Sequence, residues 1–236
     1  MTLDRITDDL VMELEGLRFA PPVAHVYNPL EYAREPHRQY QHRYGKRPKE
    51  VVLLGMNPGP WGMAQTGVPF GEIGAVRDWM GIEAPVGQPR RLHPKRPVLG
   101  FACSRREVSG QRLWGWAQKN FGKAEVFFKR FFVANYCPLM FIDNGGINLT
   151  PDKLKAADAR PLFAACDRAL RRTIVYLKPE HVVGIGQFAA TRARIVVEGL
   201  PPKVGGITHP SPANPKANRG WESLIIQELG ALGIGL

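Results

Sequence analysis

The sequence is short of cysteine and of long apolar segments, and both shortages exclude whole classes of protein. No run reaches the roughly 18 apolar residues that a membrane-spanning helix needs, so we expect no membrane partner. The three cysteines, Cys103, Cys137 and Cys166, lie far apart and never form a Cys-x-x-Cys pair. This usage argues against a disulfide framework or an iron–sulfur cluster and favours a reducing compartment. The N-terminal segment lacks a hydrophobic signal core, which argues against secretion.

Several motifs that mark cofactor or metal chemistry are also missing. No G-x-x-x-x-G-K-[ST] segment is present, so a P-loop NTPase is not expected. The segment Gly184-Ile185-Gly186 is a weak dinucleotide signal, because Ala189 follows it and no acid lies nearby; tight packing of a strand against a helix explains it better. No histidines and cysteines have metal-ligand spacing, and the zinc deaminase signature is absent. We therefore expect neither a metal nor another cofactor.

Acidic residues are the third shortage. The chain has 21 Asp and Glu against 32 Lys and Arg, which gives a net charge of +11 and a pI near 9.9. Such an excess favours a polyanionic partner. Part of it falls in one proline-broken stretch that contains Arg90, Arg91, Lys95, Arg96, Arg105 and Arg106. We expect this stretch to contact phosphates; the alternative is a basic loop that is only solvated.

Apolar segments typical of strands alternate with amphipathic segments typical of helices. The predicted strands are 50–54, 125–136, 181–185 and 203–208. The predicted helices are 6–17, 29–44, 72–80, 109–120 with Ser109 as its cap, a long helix that starts at Thr150-Pro151 and runs to 177, 187–198 and 221–232. This alternation predicts an α/β fold, a three-layer α/β/α arrangement with a central, mostly parallel four-stranded sheet. No internal repeat or flexible linker is present, so residues 1–236 should form a single domain.

Three unusual loops follow predicted strands. The first, 55–71, contains five glycines and three prolines, and the second and third are 133–139 and 208–218. Because parallel strands end at the same edge of a sheet, all three loops should meet in one cleft. The first loop is rigid and nearly uncharged, which is suited to building a pocket.

Four side chains in these loops suggest what the cleft binds. Asn57, Asn135 and His209 supply amide and imidazole groups, and Phe70 supplies a flat apolar face. An amide can pair with the edge of a pyrimidine, and an aromatic ring can stack on it. The site formed by these side chains has no obvious carboxylate, lysine or thiol nucleophile. Each residue taken alone also has an ordinary structural explanation: a turn-forming asparagine, a core phenylalanine, a hydrogen-bonded loop histidine.

The loop sequences resemble a known family. The matching segments are GMNPGPWGMAQTGVPFG at 55–71, VRDW at 76–79, CPL at 137–139, NLTP at 148–151, HPSP at 209–212 and NPKAN at 214–218. Together they look like the single-strand-selective monofunctional uracil-DNA glycosylases, a branch of the uracil-DNA glycosylase superfamily. The resemblance covers roughly residues 20 to 225 and implies a uracil-DNA glycosylase-like fold. It also implies base excision: base flipping and hydrolysis of the N-glycosidic bond, leaving an abasic site without lyase chemistry.

The resemblance implies a role for each residue of the cleft. Asn57 would position the attacking water for a dissociative reaction, and His209 would donate a hydrogen bond to O2 of the departing uracil. The Met56 backbone amide would join the contact with O2. Asn135 would pair with O4 and N3 of uracil, and Phe70 would stack on the base.

Gly59 carries the expectation on specificity. Superfamily members that are strict for uracil carry a bulky aromatic residue there, which excludes 5-substituted bases. The resemblance therefore implies that uracils with a 5-substituent, such as 5-hydroxymethyluracil, are also accepted.

The third loop should press into the DNA and hold the stack open. Its predicted DNA-binding residues are Pro210, Ser211, Pro212, Ala213, Asn214, Lys216, Asn218 and Arg219. Vertebrate members carry a basic residue where this chain has Ala213, which leaves the wedging residue open. Lys216 and Arg219 are the candidates to replace it as phosphate contacts.

The expected partner is uracil-containing DNA, single- or double-stranded, bound by a monomer. The location would be the cytoplasm, at the nucleoid, for a bacterial source and the nucleus for a eukaryotic one. Two alternatives stay open: a superfamily relative that prefers xanthine, hypoxanthine or mismatched bases, and a protein that binds damaged DNA without cleaving it.

Overall fold

The computed structural model describes residues 1–236, and its strands form two sheets. The strands are β1 His25–Tyr27, β2 Val51–Gly55, β3 Phe131–Asn135, β4 Met140–Ile142, β5 Asn148–Leu149, β6 His181–Ile185 and β7 Lys203–Ile207. The central sheet has the order β3-β2-β6-β7 and every neighbouring pair is parallel, which confirms the predicted four-stranded sheet. All five residues of β2 are buried, as expected for a central strand covered on both faces.

Helices cover both faces of this sheet. They are α1 Leu3–Glu15, α2 Pro29–Tyr32, α3 Arg34–Tyr44, α4 Met63–Thr66, α5 Val108–Phe121, α6 Ala124–Arg130, α7 Ala156–Leu177, α8 Gln187–Val197 and α9 Trp221–Ala231. Two adjacent glycines of β7 show the layering, because neighbouring residues of a strand point to opposite faces. A Cβ on Gly206 would contact Ala190 of α8, whereas one on Gly205 would clash with Leu232 at the end of α9. No helix is long and apolar enough to cross a membrane.

The prediction of one long strand over 125–136 was wrong. The structure has α6 over Ala124–Arg130, and only then β3 over Phe131–Asn135. The buried residues of α6 are Ala124, Phe127 and Phe128, which recur at positions i, i+3 and i+4, a helical spacing. Phenylalanine and valine in this segment suggested a strand by composition, but the spacing of its buried positions decides for a helix.

Several predicted helix boundaries also differ from the structure. Pro151–Lys153 form an isolated 3-10 turn, and α7 begins only at Ala156 and passes through Pro161. The predicted helix over 29–44 is divided into α2 and α3 at Ala33, whose backbone leaves the helical region. Ala75–Trp79 forms a turn of π-helix. The cap of α5 is Glu107, two residues before the predicted Ser109.

A second sheet was not predicted from the sequence. Its strands β1, β4 and β5 are antiparallel, in the order β1-β4-β5. They are only two or three residues long, too short to show a clear alternation. Its strand β4 follows directly after the second loop, and through Asn148 on β5 the sheet reaches the cleft described next.

Candidate active site

The ends of the parallel strands bring the three loops together, as the sequence predicted. Gly55 at the end of β2 is paired with Asn135 at the end of β3, and His209 follows two residues after β7. The loops enclose a cleft of about 370 Å³. All six predicted catalytic and base-binding residues line it: Met56, Asn57, Gly59, Phe70, Asn135 and His209. No lysine lines this cleft.

The amide group of Asn57 has its orientation fixed by the main chain. Its Nδ2 donates to the carbonyl oxygen of Leu139 at 3.3 Å, so Oδ1 is the atom left to accept a hydrogen bond. Asn148 lies beside it, because Asn148 Nδ2 donates to the carbonyl oxygen of Pro58 at 3.4 Å. The Oδ1 atom of Asn148 is buried and has no hydrogen-bond partner in the protein. Two amide oxygens are thus available in one cleft to accept hydrogen bonds from a water molecule.

Asn135 and Phe70 crowd against the backbone of Gly55. A Cβ on Gly55 would lie 2.4 Å from Asn135 Oδ1 and 2.5 Å from Cε2 of Phe70, so only glycine fits there. Asn135 Nδ2 donates only to the sulfur of Met63, at 3.2 Å. Sulfur is a weak acceptor. Breaking this weak hydrogen bond costs little free energy, so Asn135 Nδ2 can donate to a ligand oxygen instead.

Phe70 is held in an unfavourable backbone conformation. Its φ of 53° lies in the left-handed region, which costs a non-glycine residue roughly 1–2 kcal/mol. Its carbonyl oxygen accepts hydrogen bonds from Trp114 Nε1 at 2.8 Å and from the Glu72 amide at 2.7 Å, and these contacts stabilise the conformation. The Phe70 ring lies 6.0 Å from the His209 ring, centroid to centroid. The surrounding contacts thus fix where the aromatic face lies.

His209 is arranged to donate from Nε2 while it is neutral. Its Nδ1 accepts a hydrogen bond from the Ser211 amide at 3.0 Å, so in the neutral ring the proton resides on Nε2. Burial lowers the pKa of His209 below its usual value, which favours the neutral form further. A neutral imidazole can therefore present an N–H group in the cleft at neutral pH.

The loop after His209 is braced from helix α5. Arg112 donates to the carbonyl oxygen of Pro210 and to Asn218 Oδ1, each at 2.9 Å. Asn218 Nδ2 donates in turn to the carbonyl oxygen of Pro212 at 2.8 Å. Of the predicted DNA-binding residues, Pro210 is buried, Ser211 and Asn214 are half-buried, and the exposed ones are Pro212, Ala213, Lys216, Asn218 and Arg219.

The expectation of a site without a carboxylate was wrong. Glu107 lines the cleft, and its two carboxyl oxygens accept hydrogen bonds from the amides of Ser109, at 3.2 Å, and Gly110. Burial raises the pKa of the Glu107 carboxyl, against the opposing effect of these hydrogen bonds. An acid shortly before a predicted helix is a capping signal, which could have placed Glu107 at the start of α5 but not in the cleft.

The basic stretch 90–106 divides between two places. Arg96 and Arg105 lie against the ring of Trp61, at 5.5 and 5.3 Å from its centroid, next to the loop that carries Asn57. Arg90 instead forms a 2.8 Å ion pair with Glu15 of α1. Two of the predicted phosphate contacts therefore lie near the cleft, and one is engaged elsewhere.

Nothing in this site suggests a metal centre. No group of three or more His, Cys, Asp or Glu side chains is arranged to hold a metal ion. All three cysteines are buried thiols. The chemistry available in the cleft is that of amides, hydroxyl groups, one imidazole, one carboxyl group and an aromatic face.

Comparisons with known proteins agree with this geometry. The single-strand selective monofunctional uracil DNA glycosylase of Mus musculus is 51% identical over 224 residues, which cover 94% of this chain and 80% of that protein. The corresponding proteins of Rattus norvegicus and Bos taurus are 51% and 50% identical, with 94% of this chain covered and 81% and 82% of theirs. The crystal structure of wild-type SMUG2 from Pedobacter heparinus matches 97% of both chains with a TM-score of 0.67 at 16% identity, which confirms the fold.

A family model also matches most of the chain. It describes the Uracil DNA glycosylase superfamily and covers residues 42–230, a range that contains every residue of the cleft. The predicted family is thereby confirmed. The chain belongs to the uracil-DNA glycosylase superfamily and, within it, to the single-strand-selective monofunctional uracil-DNA glycosylases.

Proposed function

We propose that this protein removes uracil from single- and double-stranded DNA by hydrolysing the N-glycosidic bond, and that it leaves an abasic site. The observation that carries the proposal is the convergence of Asn57, Asn135 and His209 in one cleft, in a chain half identical to named uracil-DNA glycosylases. Lyase chemistry needs an amine nucleophile. The lining of the cleft provides none, which supports a monofunctional enzyme. The protein would act wherever the cell keeps its DNA.

The water molecule would be held by amide oxygens. Asn57 Oδ1 is the free acceptor of its amide, and the unpaired Oδ1 of Asn148 is the second acceptor in the cleft. A water molecule that donates a hydrogen bond to each of these two oxygens has a lone pair that points away from them, toward C1′ of the sugar. An amide cannot remove a proton from water at neutral pH. The bond to the base must therefore break largely before water attacks, through an oxocarbenium-like sugar. The proton that the water loses on attack then passes to the departed uracil anion, directly or through solvent.

His209 would stabilise the leaving base. When the C1′–N1 bond breaks, its electron pair passes to the uracil ring and is shared with O2. The neutral imidazole donates from Nε2, as the Ser211 contact with Nδ1 requires. A fixed donor aimed at developing charge contributes roughly 10²- to 10³-fold to the rate in comparable sites. The Met56 amide is the proposed second donor to O2.

Asn135 and Phe70 would select the base. Uracil presents an acceptor at O4 and a donor at N3, which match Nδ2 and Oδ1 of a single amide. Cytosine presents the opposite pattern at these two positions. Phe70 would stack on the ring, since it borders the same glycine, Gly55, as Asn135 does. Base identity would thus be determined on the wall formed by β2 and β3.

Gly59 supports acceptance of 5-substituted uracils, including 5-hydroxymethyluracil. A Cβ on Gly59 would have no neighbour closer than 3.9 Å, so the glycine leaves open space at the cleft. Members of the superfamily strict for uracil fill this position with an aromatic side chain.

The loop 209–219 would enter the DNA with only a methyl group at Ala213, while Lys216 and Arg219, both exposed, contact phosphates.

Release of free base from defined oligonucleotides tests the proposal. Wild type should release uracil, and Asn57→Ala and His209→Ala should each lose about 10²- to 10³-fold in kcat. Asn144→Ala and His42→Ala, at exposed positions outside the cleft, are the matched controls and should retain full activity. Binding without release would identify a non-catalytic protein. Preferential release of xanthine or hypoxanthine would identify a different base specificity.

A further inference from the structure

The carboxyl group of Glu107 faces the space that Gly59 leaves open. Glu107 Oε1 would be 3.9 Å from a Cβ built on Gly59, and Glu107 Cγ would be 4.0 Å from it. The same side chain packs against Gly62, where a Cβ would lie only 2.8 Å from Cγ of Glu107. Glu107 is therefore the side chain that lies nearest to the open space beside Gly59.

The position of the carboxyl group is fixed before any ligand binds. Its oxygens accept hydrogen bonds from the amides of Ser109 and Gly110 at the start of α5, so the side chain cannot turn away from the cleft. Burial raises the pKa of Glu107, so the neutral form is favoured relative to an ordinary glutamate. A neutral carboxyl group can also donate a hydrogen bond, and it repels the departing base anion less than a carboxylate would.

We propose that Glu107 is a specificity-determining residue that recognises a hydroxyl-bearing substituent at C5 of the base. The inference rests on the proposed glycosylase function. The hydroxyl of 5-hydroxymethyluracil can exchange a hydrogen bond with the carboxyl group, in the space beside Gly59. An apolar substituent of the same size removes water from the part of the carboxyl group that the Ser109 and Gly110 amides leave free and offers it no new partner, and such desolvation of a buried polar group is costly. The site therefore accepts an oxidised 5-methyl group more readily than an alkyl group.

A matched pair of substrates tests this with the wild-type protein. 5-Hydroxymethyluracil and 5-ethyluracil have similar size and differ in one hydroxyl, so steric effects cancel. Release from single-stranded oligonucleotides should favour 5-hydroxymethyluracil by about 10- to 100-fold in kcat/KM, the size of one hydrogen bond to an ionisable group. Equal kcat/KM for the two bases would overturn the proposal.

Two variants connect the effect to Glu107. In Glu107→Leu the ratio of the two kcat/KM values should fall to within about threefold of one, whereas Glu107→Gln should keep most of the preference because an amide still pairs with a hydroxyl. The ratio is measured within one enzyme preparation, so partial loss of folding does not affect it. An unchanged preference in Glu107→Leu would assign the discrimination to another residue. Wild type that releases no uracil refutes the glycosylase function itself, whereas uracil release without a preference refutes only the role of Glu107.

Discussion

Replacing Gly110 by alanine should impair catalysis although Gly110 does not line the cleft. A Cβ at this position would lie 2.1 Å from the Phe70 carbonyl oxygen, whereas real Cβ contacts are essentially never under 3.0 Å. The Phe70 carbonyl and helix α5 must therefore separate by about 1 Å. Such a displacement weakens the bond from Trp114 Nε1 and moves the Phe70 ring. A misplacement of about 1 Å in a substrate-positioning group can cost about 100-fold in rate.

Gly115→Ala on the same helix is the matched control. Gly115 is exposed and its Cβ would have no neighbour within 4 Å, so this variant should be more stable by up to about 1 kcal/mol and fully active. Gly110→Ala should lose about 1–3 kcal/mol of the free energy of unfolding through overpacking. Uracil release under single-turnover conditions and urea denaturation measure the two effects. A folded Gly110→Ala protein with wild-type single-turnover rates would refute the inferred link between α5 and Phe70.

Three further predictions concern two histidines and one arginine. Uracil release should decline at a pH below the ordinary histidine value of about 6.5, because burial lowers the pKa of His209 and its protonation at Nδ1 breaks the hydrogen bond from the Ser211 amide. A pH–rate profile of single-turnover release that stays flat down to the pH at which the protein unfolds would contradict this. Arg112→Met should raise KM for uracil in duplex DNA more than for uracil in single-stranded DNA, because the loop that carries Asn218 loses its hydrogen bonds from Arg112. Steady-state assays on both substrates measure the two KM values, and equal increases would contradict this. Burial lowers the pKa of His37 from 6.5 to about 4. Between these two pH values His37 is protonated in the unfolded chain but neutral in the folded chain. The free energy of unfolding should therefore fall by roughly 3 kcal/mol between pH 6.5 and 4, and His37→Gln should remove most of this pH dependence in urea titrations.

The sequence predicted which residues meet in the cleft better than it predicted the secondary structure around them. Asn57, Asn135 and His209 follow three separate strands, and the parallel sheet alone brings them together. Helix α6 was mistaken for a strand, because phenylalanine-rich segments fit both structures until the spacing of buried positions is known. That error did not move Asn135, since β3 still ends at this residue.

The residues that were missed depend on packing that sequence patterns do not reveal. Asn148 reaches the cleft on a two-residue strand, too short to have a detectable period. Glu107 enters it because the chain between Gly81 and Val108 returns to the first loop, a long-range contact with no local signal. Asn148 donates a hydrogen bond to the main chain of the first loop, and Glu107 accepts one from the main chain at the start of α5. Neither contact leaves a recognisable sequence motif.

The crowding at Gly55 limits how this enzyme can be redesigned. The Asn135 amide and the Phe70 ring already occupy the space over a residue that has no side chain. A larger replacement at position 135 would have to fit beside Gly55 and the stacking ring, which constrains changes of preference on the Watson–Crick edge. The opposite wall, around Gly59, has unfilled volume and tolerates single changes. New base specificities should therefore be reached more easily by substitutions that act at C5 than by those that act at O4 and N3.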